Sequence, residues 1–220
     1  MKAVVIMSGG IDSSTLLYRV KQDYDKIFGI TFDYGQSHRV ELDAAKNIAK
    51  EAQIHTHYVH RLPKLLGSAL TDGHMVIPKE DYSVETQKIT VVPNRNMIFL
   101  SFAANIAIAK GAEAVFYGAH ASDYAVYPDC RPEFVQAAQD AINAGNYEDV
   151  VVIAPFIDMK KWEIVKLGHE LGVPFQLTWS CYDPQWVMGD PVHCGTCGTC
   201  RERKLAFEEA GIYDPTAYWK

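Results

Sequence analysis

The 220-residue sequence has few cysteines, no long apolar run and no excess of basic residues, and each absence excludes a class of protein. There are 21 Lys and Arg against 27 Asp and Glu, a formal net charge of −6, which argues against a nucleic-acid-binding surface over the whole molecule. The longest apolar stretch, residues 98–109, contains Ser101 and Asn105 and is too short to cross a membrane. The N-terminal apolar run ends at Met7, far short of a signal peptide. We expect a cytoplasmic protein that binds neither nucleic acid nor membrane directly.

Residues 8–14 form the most informative motif in the chain. They read Ser-Gly-Gly-Ile-Asp-Ser-Ser and lie between an apolar run at residues 3–7 and the start of a helical pattern. Two adjacent glycines allow successive backbone N–H groups to converge on an anion, and the helix N-terminus adds a partial positive charge. The alternative is an ordinary turn in which Asp12 or Ser13 caps the helix. Hydroxyl groups on both sides of the glycines favour a phosphate site.

This motif is not a Walker loop, because the chain contains no G-x-x-x-x-G-K-[ST] string. It resembles instead the PP-loop of the pyrophosphatase-type ATP enzymes. The resemblance implies cleavage of ATP between the α- and β-phosphates.

Strand-like and helical patterns alternate along the chain. Strands are predicted at residues 3–7, 27–32, up to Val59, 114–117 and 150–153, and helices at about 12–23, 38–53, 95–110 and 159–171. This alternation indicates parallel pairing with helices on both faces and a ligand site at the carboxyl ends of the strands. We expect an α/β fold with a doubly wound, mainly parallel five-stranded sheet.

Residues 60–92 interrupt this alternation with prolines, glycines and many polar residues. A connection of this length is unusual inside a compact domain. The sequence leaves open whether the segment is a lid over the site or a surface insertion.

Four cysteines near the C-terminus have the spacing of metal ligands. Cys194, Cys197 and Cys200 form a CxxCxxC string, and Cys181 lies thirteen positions upstream. Four thiolates complete a tetrahedral shell around Zn²⁺, so we predict one structural zinc ion in a small C-terminal helical segment. An iron–sulfur cluster and unmetallated thiols remain alternatives, as does replacement of one ligand by His193. Cys130 stands apart and is interpreted as a buried residue or a pocket wall.

Further polar residues follow the predicted strands. Arg95, at a helix start, suits a carboxylate or phosphate, and Asp123 follows the fourth strand. Tyr127 is suited to stacking on a flat ring. Asp129 is either a ligand for a guanine-like edge or the cap of a helix that starts near Arg131. Either Lys160 or Lys161 is a candidate for neutralising phosphate charge.

Together these blocks resemble the 7-cyano-7-deazaguanine synthase family of the queuosine pathway. The resemblance is carried by residues 8–14, 33–38, 94–96 and 118–134, and by Cys181 with residues 193–201. It implies an adenine nucleotide alpha hydrolase-like fold, with a PP-loop domain at residues 1–175 and a zinc-binding segment at residues 176–220. It also implies a homodimer, for some relatives.

The resemblance implies an ATP- and Mg²⁺-dependent ligase that converts 7-carboxy-7-deazaguanine and ammonia into the nitrile through adenylated carboxylate and amide intermediates. No glutaminase domain is present, so ammonia is supplied free or by a partner. Catalysis is assigned to Asp12, Ser13 and Lys161, and substrate binding to Arg95, Asp123, Tyr127, Asp129 and Arg131. The residues assigned to ATP are Met7, Ser8, Gly9, Gly10, Ile11, Asp12, Ser13 and Ser14.

Two other functions are compatible with the motifs. One is a different PP-loop enzyme, such as a tRNA-thiolating or amidating enzyme, although only Cys130 remains to carry a persulfide once four cysteines bind zinc. The other is a zinc-containing module that binds ATP or nucleic acid without turnover. The acidic charge and the lack of a basic stripe argue against that module.

Overall fold

The computed structural model describes residues 1–72, 74–75 and 87–219. Its main sheet has five parallel strands in the order β3-β2-β1-β4-β5, which confirms the predicted α/β fold. From β1 the chain first adds β2 and β3 on one side of β1 and then adds β4 and β5 on the other side. The strand order therefore reverses between β1 and β4. Ligand sites of such sheets form there. The strands are β1 (Lys2–Ile6), β2 (Lys26–Asp33), β3 (Thr56–Arg61), β4 (Ala114–Phe116) and β5 (Val151–Ile153).

Helices cover both faces of this sheet. Their bounds are α1 (Ile11–Val20), α2 (Val40–Glu51), α3 (Arg95–Lys110), α4 (Pro132–Ala144), α5 (Lys161–Glu170) and α6 (Gly198–Ala210). Apolar residues of α3 and α4 pack with one side of the strands, whereas α1, α2, α5 and α6 share a core on the other side. The C-terminal helix α6 contributes Ala206 and Phe207 to that second core. Residues after 176 are thus joined to the sheet domain by a common apolar core.

The observed bounds differ from the predicted ones by up to three residues, most at the end of helix α1, and one hairpin was not predicted. Helix α1 ends at Val20 instead of residue 23, because the next N–H groups bond in a tighter turn, as from Gln22 to the Arg19 carbonyl. A small antiparallel hairpin, β6 (Gln185–Val187) and β7 (Asp190–Val192), was not predicted. Its two linking residues, Met188 and Gly189, both have positive φ, as two-residue hairpin turns require.

The first part of the segment at residues 60–92 is held to the residues at the end of β2 and just after it, and its two described parts are bonded to each other. The Leu62 N–H donates to the Asp33 carbonyl, and the Ser37 N–H donates to the Leu70 carbonyl. The Ala69 N–H donates to the Ile89 carbonyl. The centre of the segment, to which the lid hypothesis applies, lies outside the described residues at 73 and 76–86. Of the helices in the described part of the chain, none has the length and apolar character needed to cross a membrane.

Candidate active site

A cleft opens at the carboxyl ends of β1 and β4 and contains most of the motif at residues 8–14. Residues 7, 8 and 10–13 line it, and Ser14 is buried behind them. The Ser13 hydroxyl lies 3.1 Å from both the amide nitrogen and the hydroxyl of Ser8, and the Gly10 N–H donates to Ser8 Oγ at 3.3 Å. These hydroxyl and N–H groups, together with the first turn of α1, form a set of hydrogen-bond donors that can bind an anion.

Gly9 fixes the position of this loop between two other parts of the chain. Its φ is +80°, and a Cβ atom there would lie 2.5 Å from the backbone nitrogen of Ala45 in α2. A side chain would therefore push α2 away from the loop. On its other side, the Gly9 carbonyl accepts the Trp179 N–H at 2.8 Å. The C-terminal segment thus contacts the loop directly.

Asp12 and Lys161 form an ion pair at the floor of the cleft, although 149 positions separate them. Lys161 Nζ lies 2.7 Å from Asp12 Oδ2 and 3.5 Å from Glu202 Oε2 of helix α6. His120 Nε2 lies 3.8 Å from Asp12 Oδ2 and 3.3 Å from Asp123 Oδ2. The second oxygen of Asp12, Oδ1, is buried and has no hydrogen-bond partner within the described ranges. One carboxylate oxygen is thus left for a ligand.

The charges in this cluster stabilise one another. Burial alone would raise the pKa of Asp12, but Lys161 and His120 outweigh it, and the pKa is lowered. Burial would lower the pKa of Lys161, but the Asp12, Glu202 and Asp123 carboxylates outweigh it, and the pKa is raised. Lys161 is therefore a permanent cation at neutral pH. Burial raises the pKa of Asp123, and His120 and Lys161 offset this only in part.

A second polar corner of the cleft surrounds Arg95, the first residue of α3. The Tyr34 hydroxyl is hydrogen-bonded to Arg95, and burial with the nearby Glu41 carboxylate raises the pKa of Tyr34 to about 12. Arg95 Nε and the Tyr117 hydroxyl are buried without a partner in the part of the chain that the structure describes. The Tyr127 hydroxyl lies 3.0 Å from Thr90 Oγ1. Two unsatisfied donors beside tyrosine rings are suited to a planar polar ligand.

Asp129 and Arg131, also predicted at this site, make contacts just behind it. Asp129 Oδ2 accepts the Asn96 N–H at 3.1 Å, so it caps α3 rather than the helix that starts near Arg131. The turn at residues 128–130 contacts both α3 and α4, but the Asp129 carboxylate accepts an N–H of α3, and α4 begins without a side-chain cap hydrogen bond, so the predicted cap of the helix near Arg131 was wrong. Asn94 occupies the cap position of α3, but its side chain makes no cap hydrogen bond. Arg131 Nε donates to the Tyr124 carbonyl at 3.0 Å.

Cys130 forms part of the cleft wall and is not a reactive thiol. Burial, assisted by the Asp123 and Asp129 carboxylates, raises the pKa of Cys130 well above its ordinary value. Nucleophilic cysteines have lowered pKa values and an electropositive setting. This disfavours a persulfide-carrying role.

The other four cysteines meet in one buried cluster. The sulfur atoms of Cys181, Cys194, Cys197 and Cys200 all lie within 4.8 Å of one another. A tetrahedral site with Zn–S bonds of about 2.3 Å places sulfurs roughly 3.8 Å apart, and two of the pairs lie at 4.0 Å. Backbone N–H groups point at the sulfurs, as from Cys197 to Cys194 Sγ at 3.2 Å. The cluster fits a tetrahedral metal ion.

His193 is not positioned as a ligand. Its Nε2 accepts the Ser180 N–H at 3.1 Å, and its ring lies 4.1 Å from the Trp179 ring. Burial, together with the Arg203 charge, lowers the pKa of His193 to about 4. A neutral imidazole that accepts a backbone N–H serves to hold residues 179–180, which in turn contact the PP-loop.

Arg203 connects the helix of the cysteine cluster to Asp214 near the C-terminus and to residues 175–180. It is almost fully buried, and its guanidinium donates to both carboxylate oxygens of Asp214, to Thr178 Oγ1 at 2.8 Å and to the Phe175 carbonyl. Asp214 also accepts the Tyr218 hydroxyl at 2.6 Å. The group is thus a buried, bidentate and well-satisfied ion pair.

Replacing Arg203 with methionine is expected to lower the free energy of unfolding by about 3–5 kcal/mol, because it leaves the partly buried Asp214 carboxylate unpaired. Burial would raise the pKa of Asp214, but Arg203 outweighs it, and the pKa in the folded state is lowered. The stability from this pair is therefore complete above the unfolded pKa of about 3.9 and is lost as the pH falls below it. Urea denaturation between pH 7 and pH 2 measures both effects.

An Asp214→Asn variant should lose this acid dependence, whereas Asp149→Asn, at an exposed position, should retain it. Equal acid dependence in the wild type and Asp214→Asn would contradict the assignment.

Comparison with known proteins decides the family. The model of the family described as "Queuosine biosynthesis protein QueC" matches residues 2–211. The chain belongs to this family. It is 46% identical over 228 residues to 7-cyano-7-deazaguanine synthase of Nostoc punctiforme, covering 99% of this chain and 100% of that one. It is 47% identical over 220 residues to the enzyme of the same name from Caldicellulosiruptor bescii, covering 99% and 97%.

Among solved structures, NMN synthetase from Francisella tularensis is similar, with a TM-score of 0.50 and 13% identity over 96% of this chain and 77% of that one. At that identity the likeness concerns the fold alone. The family-level resemblance read from the sequence is confirmed.

Sequence reasoning missed several side chains that line the cleft. Glu202 and Arg203 lie two and three positions after Cys200 and were not predicted as site residues. Glu41 and Tyr117 were also missed, and Tyr34 falls within the block at residues 33–38 but was not named as a site residue. Tyr34 and Tyr117 directly follow the ends of β2 and β4, and that position was the available signal.

Proposed function

We propose that this protein is an ATP-dependent ligase that converts 7-carboxy-7-deazaguanine and ammonia into 7-cyano-7-deazaguanine. The observation that carries the proposal is one cleft in which a PP-loop, a carboxylate–lysine pair and an unsatisfied arginine–tyrosine corner face each other. Relatives that are 46–47% identical over nearly the whole chain carry the name of this activity.

The chemistry explains the need for ATP. A carboxylate is a poor electrophile, so its oxygen must first become a leaving group. Attack of that oxygen on the α-phosphorus gives an acyl-adenylate and pyrophosphate, and ammonia then displaces AMP to give the amide. A second adenylation, on the amide oxygen, allows AMP to leave again and the nitrile to form. Two ATP molecules are therefore cleaved for each nitrile.

The end of the cleft that is proposed to bind the phosphates contains hydrogen-bond donors and one cationic side chain. Ser8, Gly9, Gly10, Ser13 and Ser14 are proposed to cradle the phosphates through hydroxyl and N–H groups. Lys161 is proposed to stabilise the negative charge that develops as pyrophosphate leaves. Asp12 holds the Lys161 ammonium group at 2.7 Å and so fixes its direction. Met7 and Ile11 form apolar walls beside the nucleotide.

Mg²⁺ bound with ATP would supply further neutralisation of the phosphate oxygens. The unpartnered Asp12 Oδ1 fits such an ion, since none of the described side chains takes it up.

The arginine–tyrosine corner is proposed to bind the deazaguanine substrate. Arg95 would pair with its carboxylate, Tyr127 would lie against the ring and Asp123 would accept its N–H groups. The contacts of Asp129 with Asn96, and of Arg131 with Tyr124, favour a supporting role for these two residues in binding the same substrate.

Replacing Arg95 with lysine is expected to raise KM for 7-carboxy-7-deazaguanine about 10–100-fold while KM for ATP changes little, because a lysine cannot reproduce the planar, two-pronged contact. Steady-state kinetics with each substrate varied in turn measure this. Arg19→Lys, in an exposed pair with Asp23, is the matched control. A rise in KM for ATP alone would place Arg95 at the nucleotide instead.

The metal in the cysteine cluster is proposed to be a structural zinc ion. Four buried sulfurs with N–H donors suit Zn²⁺, which is held without an open ligand position. Elemental analysis of protein purified without chelator distinguishes zinc from iron. The division into a PP-loop domain, residues 1–175, and a zinc-binding segment, residues 176–220, is part of the same proposal, as is a role for that segment in completing the cleft.

We further propose that the enzyme acts in the cytoplasm, on free ammonia or ammonia from a partner, as a homodimer that does not bind nucleic acid directly. The unpaired state of all five cysteines, each of them in the described part, suits a reducing compartment. Sedimentation velocity tests the dimer.

The direct test of the proposed function is incubation of the zinc-loaded protein with ATP, Mg²⁺, ammonium and 7-carboxy-7-deazaguanine, followed by mass spectrometry. The expected product is the nitrile, with AMP and pyrophosphate. Absence of both amide and nitrile from folded, zinc-loaded protein would overturn the proposal.

A further inference from the structure

His38 is a buried histidine whose role the PP-loop and the arginine–tyrosine corner do not explain. It lies two residues before α2 and is 3% exposed, and its Nε2 is 3.1 Å from Glu41 Oε2. Its other ring nitrogen, Nδ1, is buried and lacks a hydrogen-bond partner among residues 1–72, 74–75 and 87–219. Because Nε2 faces a carboxylate and donates its proton there, Nδ1 is left as the free acceptor.

Glu41 is itself held in place from the end of β2. Gln36 Nε2 donates to Glu41 Oε1 at 2.8 Å and to the Phe32 carbonyl at 3.1 Å, while Gln36 Oε1 accepts the Tyr34 N–H. Gln36 thus fixes the Glu41 carboxylate, and that carboxylate orients the His38 imidazole. A base oriented by a third group in this way is the arrangement of general-base sites.

The pair lies beside the PP-loop. His38 and Glu41 both line the cleft. The Glu41 backbone oxygen is among the atoms closest to Gly9, at 2.7 Å from the position of a Cβ there. On its other side the His38 ring is 4.8 Å from the Tyr182 ring of the C-terminal segment. The imidazole is therefore enclosed between α2 and the C-terminal segment and lines the same cleft as the PP-loop.

The proposed reaction requires a base at this place. When ammonia attacks the acyl-adenylate, the new C–N bond carries an extra proton that must leave nitrogen as AMP departs. Lys161 is a cation and accepts no proton. His120 Nε2 faces the Asp12 and Asp123 carboxylates, and its Nδ1 is also buried without a partner among the described residues, so His120 is the competing base. Loss of product formation with retained pyrophosphate exchange in His120→Gln, but not in His38→Gln, would assign the role to His120. Cys130 is a neutral thiol.

We propose that His38, oriented by Glu41, is the general base that takes this proton on Nδ1. The nitrogen lone pair forms the C–N bond, the C–O bond to AMP breaks and AMP leaves with that electron pair. The proton moves from nitrogen to the imidazole, whose charge Glu41 stabilises. The inference rests on the proposed function and adds to it the group that handles the incoming nitrogen.

The test uses His38→Gln in the full-length, zinc-loaded protein. The glutamine amide can still reach Glu41, but it cannot take up a proton. Two steps are measured separately: substrate-dependent exchange of labelled pyrophosphate into ATP, which reports adenylation, and formation of amide plus nitrile from ammonium. The exposed residue His55, at the amino end of β3, supplies the matched control His55→Gln. Hydroxylamine replaces ammonium in a third measurement, with the hydroxamate as product, because its adduct nitrogen is more acidic and can release the extra proton to water without a protein base.

We expect His38→Gln to retain pyrophosphate exchange within a few-fold of the wild type, to lose product formation from ammonium about 10²-fold or more, and to recover part of the loss with hydroxylamine. Parallel loss of exchange and product would mean that His38 binds the nucleotide and would overturn the proposal. Product formation at the wild-type rate would also overturn it. If the wild type itself formed no amide or nitrile, the proposed function would fail before this question arose.

Discussion

Replacing Asp12 with asparagine is expected to reduce AMP formation by at least about 10²-fold while leaving the fold intact. The substitution keeps the size of the side chain but removes the charge that holds Lys161 Nζ at 2.7 Å. It also makes Oδ1, the oxygen left for a magnesium ion, a weaker metal ligand, because an amide oxygen carries less negative charge than a carboxylate oxygen. The ammonium group of Lys161 would then be shared mainly with Glu202, at 3.5 Å, and would be drawn away from the phosphates. Chromatographic measurement of AMP gives the rate.

The control for this variant is Asp25→Asn, at the opposite end of the sheet, where the carboxylate pairs with the N-terminal ammonium group. It should leave AMP formation unchanged. Thermal denaturation of both proteins separates catalysis from folding. If Asp12→Asn formed AMP at the wild-type rate, or lost activity only in proportion to a lower melting temperature, Asp12 would have no part in the chemistry.

Replacing Cys197 with serine is expected to remove the metal ion and to destabilise the protein strongly. Structural zinc sites contribute on the order of 10–16 kcal/mol of apparent binding energy. A loss of only about 4 kcal/mol would lower the melting temperature by roughly 8–16 °C for a chain of this size. The Trp179 N–H and Glu202 connect this segment to Gly9 and Lys161, so activity should fall with metal content. Elemental analysis and thermal denaturation on one preparation measure both.

Cys130→Ser is the matched control. Cys130 is buried in the apolar core formed with α3 and α4, and its side chain contacts Asn96 and not the cysteine cluster. It should keep a full equivalent of zinc. Full zinc retention by Cys197→Ser would refute its role as a ligand. Metal loss without any change in melting temperature would refute the structural role of the ion.

The predicted site residues that the structure brings together in one cleft or cluster come mainly from motifs that are local in the chain. The motif at residues 8–14 predicts a phosphate-binding loop because its glycines, its hydroxyl groups and the following helix are adjacent in the chain. Lys161 was one of two lysines considered for neutralising phosphate charge, and the structure places its ammonium group 2.7 Å from Asp12. The spacing of the four cysteines was enough to predict a cluster, and the structure brings all four sulfur atoms together.

The contacts that sequence reasoning could not supply depend on packing between distant segments. Arg203 lies in a polar stretch of α6 that is typical of a solvated face, yet it is buried, because residues 175–180 and Asp214 close over it. Asp129 was predicted as a possible cap of the helix that follows it and instead caps α3, which begins 34 positions earlier. Nothing in the local pattern around either residue indicates its partner.

The central claim is that ATP activates the substrate's own carboxylate oxygen, and oxygen labelling tests it most directly. The enzyme is given 7-carboxy-7-deazaguanine with both carboxylate oxygens replaced by ¹⁸O, and the AMP is analysed by mass spectrometry. The account predicts two AMP molecules for each nitrile, each with one ¹⁸O in its phosphate. ADP as the product, or ¹⁸O in inorganic phosphate with unlabelled AMP, would contradict it.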